Sequence, residues 1–186
     1  MYATDQLRAE HEGITVMLSV LERLADDVSA GRAVNLDHLA QVLDFLRTFA
    51  DACHHGKEEE LLFPALGRAG LPAEGGPVGV MLLEHTQGRA YIRGMADALE
   101  ALRAGTGGAT SFAKNAYGYV QLLRAHIDKE NDILFVMAER LLPPAVHAQL
   151  IGEFETVEQE RIGDGVHERY HALIHELEAI YLRRAA

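Results

Sequence analysis

His54-His55-Gly56-Lys57-Glu58-Glu59-Glu60-Leu61-Leu62-Phe63 has a near copy 72 residues further on, His126-Ile127-Asp128-Lys129-Glu130-Asn131-Asp132-Ile133-Leu134-Phe135. Each string is preceded, 43 and 41 residues upstream, by a second pair, Glu10-His11 and Glu84-His85. The chain therefore carries the same donors twice: four histidines and two glutamates. In both strings a histidine is followed four residues later by a glutamate, which on a helix places the two side chains on one face, a turn apart. An imidazole supplies one nitrogen to a cation, and a carboxylate can chelate one ion or bridge two. Four imidazoles and two carboxylates on four helices form the donor set of a carboxylate-bridged two-metal site in a helical bundle.

The apolar pattern agrees. The first stripe is Leu7, His11, Ile14, Leu18, Leu21 and Ala25, and the second is Leu43, Leu46, Ala50, His54, Glu58, Leu61 and Ala65. The third is Val78, Leu82, His85, Ile92, Leu99 and Leu102, and the fourth is Ala116, Tyr119, Leu123, His126, Glu130, Ile133 and Met137. Steps of three and four residues keep each stripe on one helix face. All six donors fall on these faces, where an unpaired glutamate is costly to bury. An exposed i,i+4 pair, common on helix surfaces, does not account for that placement.

The stripes predict helices over about Asp5 to Ala30, Asn35 to Arg68, Val78 to Arg103, and Ser111 to Leu142. Gly31 stops the first, Asn35 caps the second, and Thr110 or Ser111 caps the fourth. Glycines and prolines between Gly67 and Pro77 mark the connection between the halves. The expected fold is all-α: an up-down-up-down antiparallel four-helix bundle over residues 1–142. A C-terminal helical extension, residues 143–186, opens at Pro143-Pro144, divides near Gly163-Asp164-Gly165 and packs on the bundle.

Composition narrows the function. At 186 residues, 48% of them hydrophobic, the chain suits one globular domain. A formal net charge of −11 argues against a nucleic-acid partner, which needs basic patches. No apolar run is long enough to cross a membrane. The first residues lack the pattern of a signal peptide, and the single cysteine, Cys53, allows no internal disulfide. A reducing, cytoplasmic setting is the expectation, with Cys53 simply buried.

The doubled string fixes the register. Aligning Leu62-Phe63 with Leu134-Phe135 pairs His54 with His126 and Glu58 with Glu130. His55 and Glu59, also four apart, then fall beside Asp51 and read as outer or surface residues. Three further histidines, His167, His171 and His175, share a face of the last helix. His171 and His175 read as a polar face, and His167 as a candidate extra ligand.

The doubled pattern over residues 5 to 142 resembles the hemerythrin-like, or HHE cation-binding, domain. The resemblance implies an antiparallel bundle around an oxo- or hydroxo-bridged pair of iron ions, with zinc or manganese as substitutes. Its implied ligands here are His11, His54, Glu58, His85, His126 and Glu130. It also implies a small partner, O2, NO or peroxide, in sensing or detoxification, with catalase-like turnover as one form. Iron storage or redox regulation without turnover is the alternative. Oxygen carriers of the family have a further histidine one turn after the residue matching His85, and here that position is Arg89. They also place an aspartate one residue beyond the position of Glu130. Simple reversible O2 carriage is therefore not expected. Arg89 either pairs with a carboxylate or an anionic ligand beside the centre, or snorkels at the bundle edge. With one imidazole missing, His167 is the residue placed to supply it, and the C-terminal segment is expected to cover one end of the centre.

Overall fold

The computed structural model describes residues 1–161, 163 and 165–183, and it is all-helical among them. Helix α1 spans Ala3–Ser29, and Gly31, at φ +66°, ends it. Helix α2 spans Leu36–Phe45 and begins at Asn35, whose Oδ1 accepts from the backbone N–H groups of Asp37 and His38. The same rod continues through two π-helical segments, π1 at Leu46–His55 and π2 at Glu58–Leu62, into α3 at Phe63–Arg68. Helix α4 spans Pro77–Arg103, with proline at its first turn. Helix α5, Ala109–Lys129, runs through a third π-helical segment, π3 at Glu130–Leu134, into α6 at Phe135–Leu141. The four rods pack α1 on α5, α5 on α4, and α4 on α2, the adjacency of a four-helix bundle.

The fourth rod starts at Ala109, before both expected caps. Neither Thr110 nor Ser111 caps it. Gly108 sits at the N-cap position with φ +101°, and a Cβ there would lie 2.4 Å from the Ala98 carbonyl oxygen. Glycine is the residue that permits both the left-handed backbone and the close approach to α4.

The π turns produce the main departure from the expected stripes. A turn closed by i→i+5 hydrogen bonds holds more residues than an α turn, so the inward face slips by one position. Leu62 is buried where Leu61 was expected, and Leu134 is buried where Ile133 was expected, leaving Ile133 52% exposed. The slip occurs at the same place in both halves.

The interior has three layers. One apolar cluster includes Ile14, Leu18, Leu43, Leu46, Ile92, Leu99, Phe112 and Leu123. A second includes Leu7, Leu62, Leu66, Val78, Met81, Leu134 and Phe135. His11, His54, Glu58, His85, His126 and Glu130 lie between them along every rod, all buried. Truncating one of the buried leucines on either side costs about 2–5 kcal/mol. This packing offsets the cost of the polar layer.

Two further helices, α7 at Pro144–Arg161 and α8 at Val166–Tyr181, lie against α1. Leu150 and Phe154 join the second cluster, and Tyr170, Ile174 and Leu177 join the first. Gly163 and Gly165 both have positive φ at the divide, and Asp164 lies outside the described residues. No helix among the described residues is long and apolar enough to cross a membrane.

Candidate metal centre

Glu58 and Glu130 stand opposite each other in the polar layer, each at the first position of a π segment. π turns inside helices recur at functional sites because they re-aim side chains without breaking the rod. Here the widened helix narrows the angle between consecutive residues, so both His54 and His55 turn inward. Both are buried.

Each carboxylate faces both sides of the layer. Glu58 Oε1 lies 3.7 Å from His54 Nε2, and its Oε2 lies 3.5 Å from His85 Nε2. Glu130 repeats this, with Oε2 3.2 Å from His11 Nε2 and Oε1 3.2 Å from His126 Nε2. His11 and His54 approach to 3.0 Å through their Nε2 atoms, and His85 and His126 to 3.1 Å. Two donor groups result, each with one ligand atom per residue within 4.8 Å: His11, His54, Glu58 and Glu130, and His55, Glu58, His85 and His126. Glu58 belongs to both.

The five imidazoles share one orientation. His54 Nδ1 lies 2.7 Å from Glu10 Oε2, and His126 Nδ1 lies 2.9 Å from Glu84 Oε2. His85 Nδ1 is 2.7 Å from Glu59, His55 Nδ1 is 3.3 Å from Asp51, and His11 Nδ1 is 3.0 Å from Asn131 Oδ1. An oxygen acceptor at Nδ1 holds the proton there and leaves the Nε2 lone pair free to face inward, the usual arrangement behind metal-binding histidines. Lys57 Nζ lies 2.5 Å from Glu10 and also pairs with Glu158 on α7, while Lys129 pairs with Glu84. The residues repeated in the two sequence strings thus include both the inner donors and their supports.

The layer could hold a cation. All four oxygens of Glu58 and Glu130 are buried without a hydrogen-bond partner among the described residues. Unpaired buried carboxylates are among the most costly groups a core can hold. In the metal-free chain protons take the cation's place. Burial and the facing Glu130 carboxylate push Glu58 well above the usual carboxylate range. Burial opposes ionisation of Glu130 too, but His126 and His11 beside it hold its carboxyl below that range. Burial brings His54 down to about 4 and pushes His55 and His85 down as well, so these three rings stay neutral and able to coordinate. Two carboxylates and neutral imidazoles around one space fit one or more divalent or trivalent cations.

The family model of the hemerythrin HHE cation binding domain matches residues 2–138, the bundle into α6 with its polar layer. The chain belongs to this family. Among curated proteins and among solved structures, none matches it significantly.

The structure brings all six residues expected from the HHE pattern into one buried layer. His55 joins them, although α-helical spacing assigned it to the outside. The hint was present: the pattern lacked one imidazole, and an adjacent histidine already stood on the second rod. His167 does not join either donor group. The α8 helix carries it against Phe49, with ring centroids 5.7 Å apart, onto a cavity of about 200 Å³ that it lines with His171, Glu158 and Glu10. The C-terminal helices reach the surroundings of the centre through Glu158, which grips Lys57, and through the cavity that His167 shares with Glu10. Arg89 pairs with carboxylates, Asp51 at 2.8 Å and Glu59 at 2.7 Å, which excludes the snorkelling alternative. Cys53 is buried and its thiol is pushed up to about 12 by that burial, so it is an inert core group. Tyr119 is fully buried and its hydroxyl has no partner among the described residues.

Proposed function

We propose that this member of the hemerythrin HHE family holds two iron ions and binds or reacts with O2, NO or peroxide. Five buried imidazoles, each with an oxygen acceptor at Nδ1, and four unpartnered carboxylate oxygens in one buried space carry this reading. In it Glu58 and Glu130 would help hold both ions. His55, His85 and His126 would hold one ion, and His11 and His54 the other. Bound iron would supply a redox-active Lewis acid with a coordination position open to a small ligand.

The two subsites differ because the repeat is imperfect. The position that matches His55 in the second string is Ile127, a buried apolar residue. The subsite of His11 and His54 therefore has one imidazole fewer, and the open position belongs there. The apolar clusters above and below restrict access to small molecules and keep bulk water out. Glu10, Glu84, Glu59, Asp51 and Asn131 hold the rings so that the donors are set before a cation arrives.

A regulatory reading without turnover draws on one observation. Lys57 is fully buried between Glu10, which orients His54, and Glu158 on α7. Its counterpart Lys129 is 36% exposed and pairs with Glu84 on α4. The first half of the centre is thereby tied to the C-terminal helices.

Iron-supplemented protein tests the proposal through metal content, the visible spectrum with and without azide or NO, and peroxide consumption. Two irons per chain and ligand-sensitive charge-transfer bands are expected. One iron or none, or bands indifferent to every small ligand, would overturn it. Peroxide consumption would favour turnover over regulation.

A further inference from the structure

Arg89 stands outside the donor set, yet its guanidinium closes a ring around one subsite. Its Nε donates to Asp51 Oδ1 at 2.8 Å, and its Nη2 donates to Glu59 Oε1 at 2.7 Å. The same two oxygens receive the imidazoles. Asp51 Oδ1 faces His55 Nδ1 at 3.3 Å, and Glu59 Oε1 faces His85 Nδ1 at 2.7 Å. The two rings then stack on each other, centroids 3.8 Å apart and planes 15° apart. One planar cation holds two carboxylates, and those carboxylates hold two stacked ligands.

We propose that Arg89 is the positioning residue of the three-histidine subsite, fixing His55 and His85 through Asp51 and Glu59. The proposal rests on the two-ion reading above. Removing the guanidinium leaves Asp51 and Glu59 as two half-buried carboxylates beside each other. Their repulsion turns them towards water, and the two imidazoles lose the acceptors that set their orientation. The other subsite does not depend on Arg89. His11 is held by Asn131, and His54 by Glu10 with Lys57 behind it. The loss is therefore confined to one ion of the two.

Lysine cannot replace the arginine. The two contacts come from different nitrogens of a rigid fork, each aimed at a different carboxylate, while an ammonium is a single point on a flexible stem. Charge alone would satisfy one carboxylate and release the other.

The test is metal titration of the metal-free full chain with cobalt(II), in competition with a chromophoric chelator. Wild type, Arg89→Ala and Arg89→Lys are compared. Wild type is expected to take two ions. Both variants are expected to bind one ion as tightly as wild type and the other roughly 10- to 100-fold more weakly, the usual cost of losing the support behind a ligand. Asp51→Asn and Glu59→Gln keep the side-chain shape and serve if an Arg89 variant fails to fold. Each should weaken the same single equivalent. Far-ultraviolet circular dichroism of the metal-free variants should match wild type. A wild type that binds fewer than two ions would contradict the two-ion reading itself. A two-ion wild type whose Arg89→Ala and Glu59→Gln variants bind both ions unchanged, or lose both equally, would overturn the role given to Arg89.

Discussion

His55 lies face to face with His85, their ring centroids 3.8 Å apart. Two stacked imidazoles at this distance cannot both be protonated, and burial pushes both below the ordinary histidine range. A neutral stacked pair with Nδ1 on carboxylates offers two Nε2 lone pairs to a cation. His55→Ala is therefore expected to reduce bound metal by about one ion per chain. His167→Ala should leave metal content and spectrum unchanged, because His167 rests on Phe49 outside the donor groups. Metal analysis of the two variants checks this directly, and the reverse pattern would return His167 to the centre.

Glu58→Gln should separate stability from binding. The Glu58 carboxyl is raised well above its ordinary 4.5, by burial and then by the facing Glu130. A group with a raised folded-state pKa contributes stability that is present below the unfolded value and lost as pH rises. Burying this carboxyl opposite Glu130 therefore costs the metal-free protein stability as pH rises above the ordinary carboxylate range. The metal-free variant should unfold at a higher temperature than metal-free wild type at pH 7, with the gap closing below about pH 4.5. It should also bind metal far more weakly. Thermal unfolding followed at the two pH values reads the effect, and a variant less stable at pH 7 would contradict it.

Lys57→Met removes the cation between two carboxylates. Glu10 would be left buried with His54 Nδ1 as its partner and no cation beside it, and Glu158 would keep only Gln6. Breaking such a pair by deleting one partner costs about 3–5 kcal/mol. Faster proteolysis between α6 and α7 is expected, with the bundle itself persisting longer. Lys129→Met, at the half-exposed counterpart, should cost much less. Equal effects of the two substitutions would deny α7 its special tie to the centre.

The bundle and the buried layer shared by His11, His54, Glu58, His85, His126 and Glu130 were legible because α-helical spacing and the doubled string are both strong, local signals. Helix ends at Gly31, Asn35 and Arg103 followed from the same chemistry. The rest was hidden by the π turns. Spacing of three and four presumes an α-helix, so Leu61 and Ile133 were assigned inward and His55 outward. One extra residue per widened turn brings His55 inward, turns Ile133 out and leaves Leu61 only partly buried. The supports were visible in another form: Glu10 and Glu84 precede a histidine in both halves, and Lys57 and Lys129 precede a glutamate in both. Identical residues beyond the ligands mark what holds the ligands. The roles of Glu158 and Arg89 had no such counterpart, since each acts in one half only.

The shared carboxylates are the centre of the account. Glu58 and Glu130 each face histidines of both donor groups, so two irons held there would share ligands and lie close enough to couple. The direct measurement is the low-temperature Mössbauer spectrum of the oxidised, iron-loaded protein with its iron content determined on the same sample. Two irons per chain, giving the quadrupole doublets of a coupled diferric pair without magnetic splitting, is the result expected. A magnetically split spectrum of isolated ferric ions, or a single iron per chain, would contradict it.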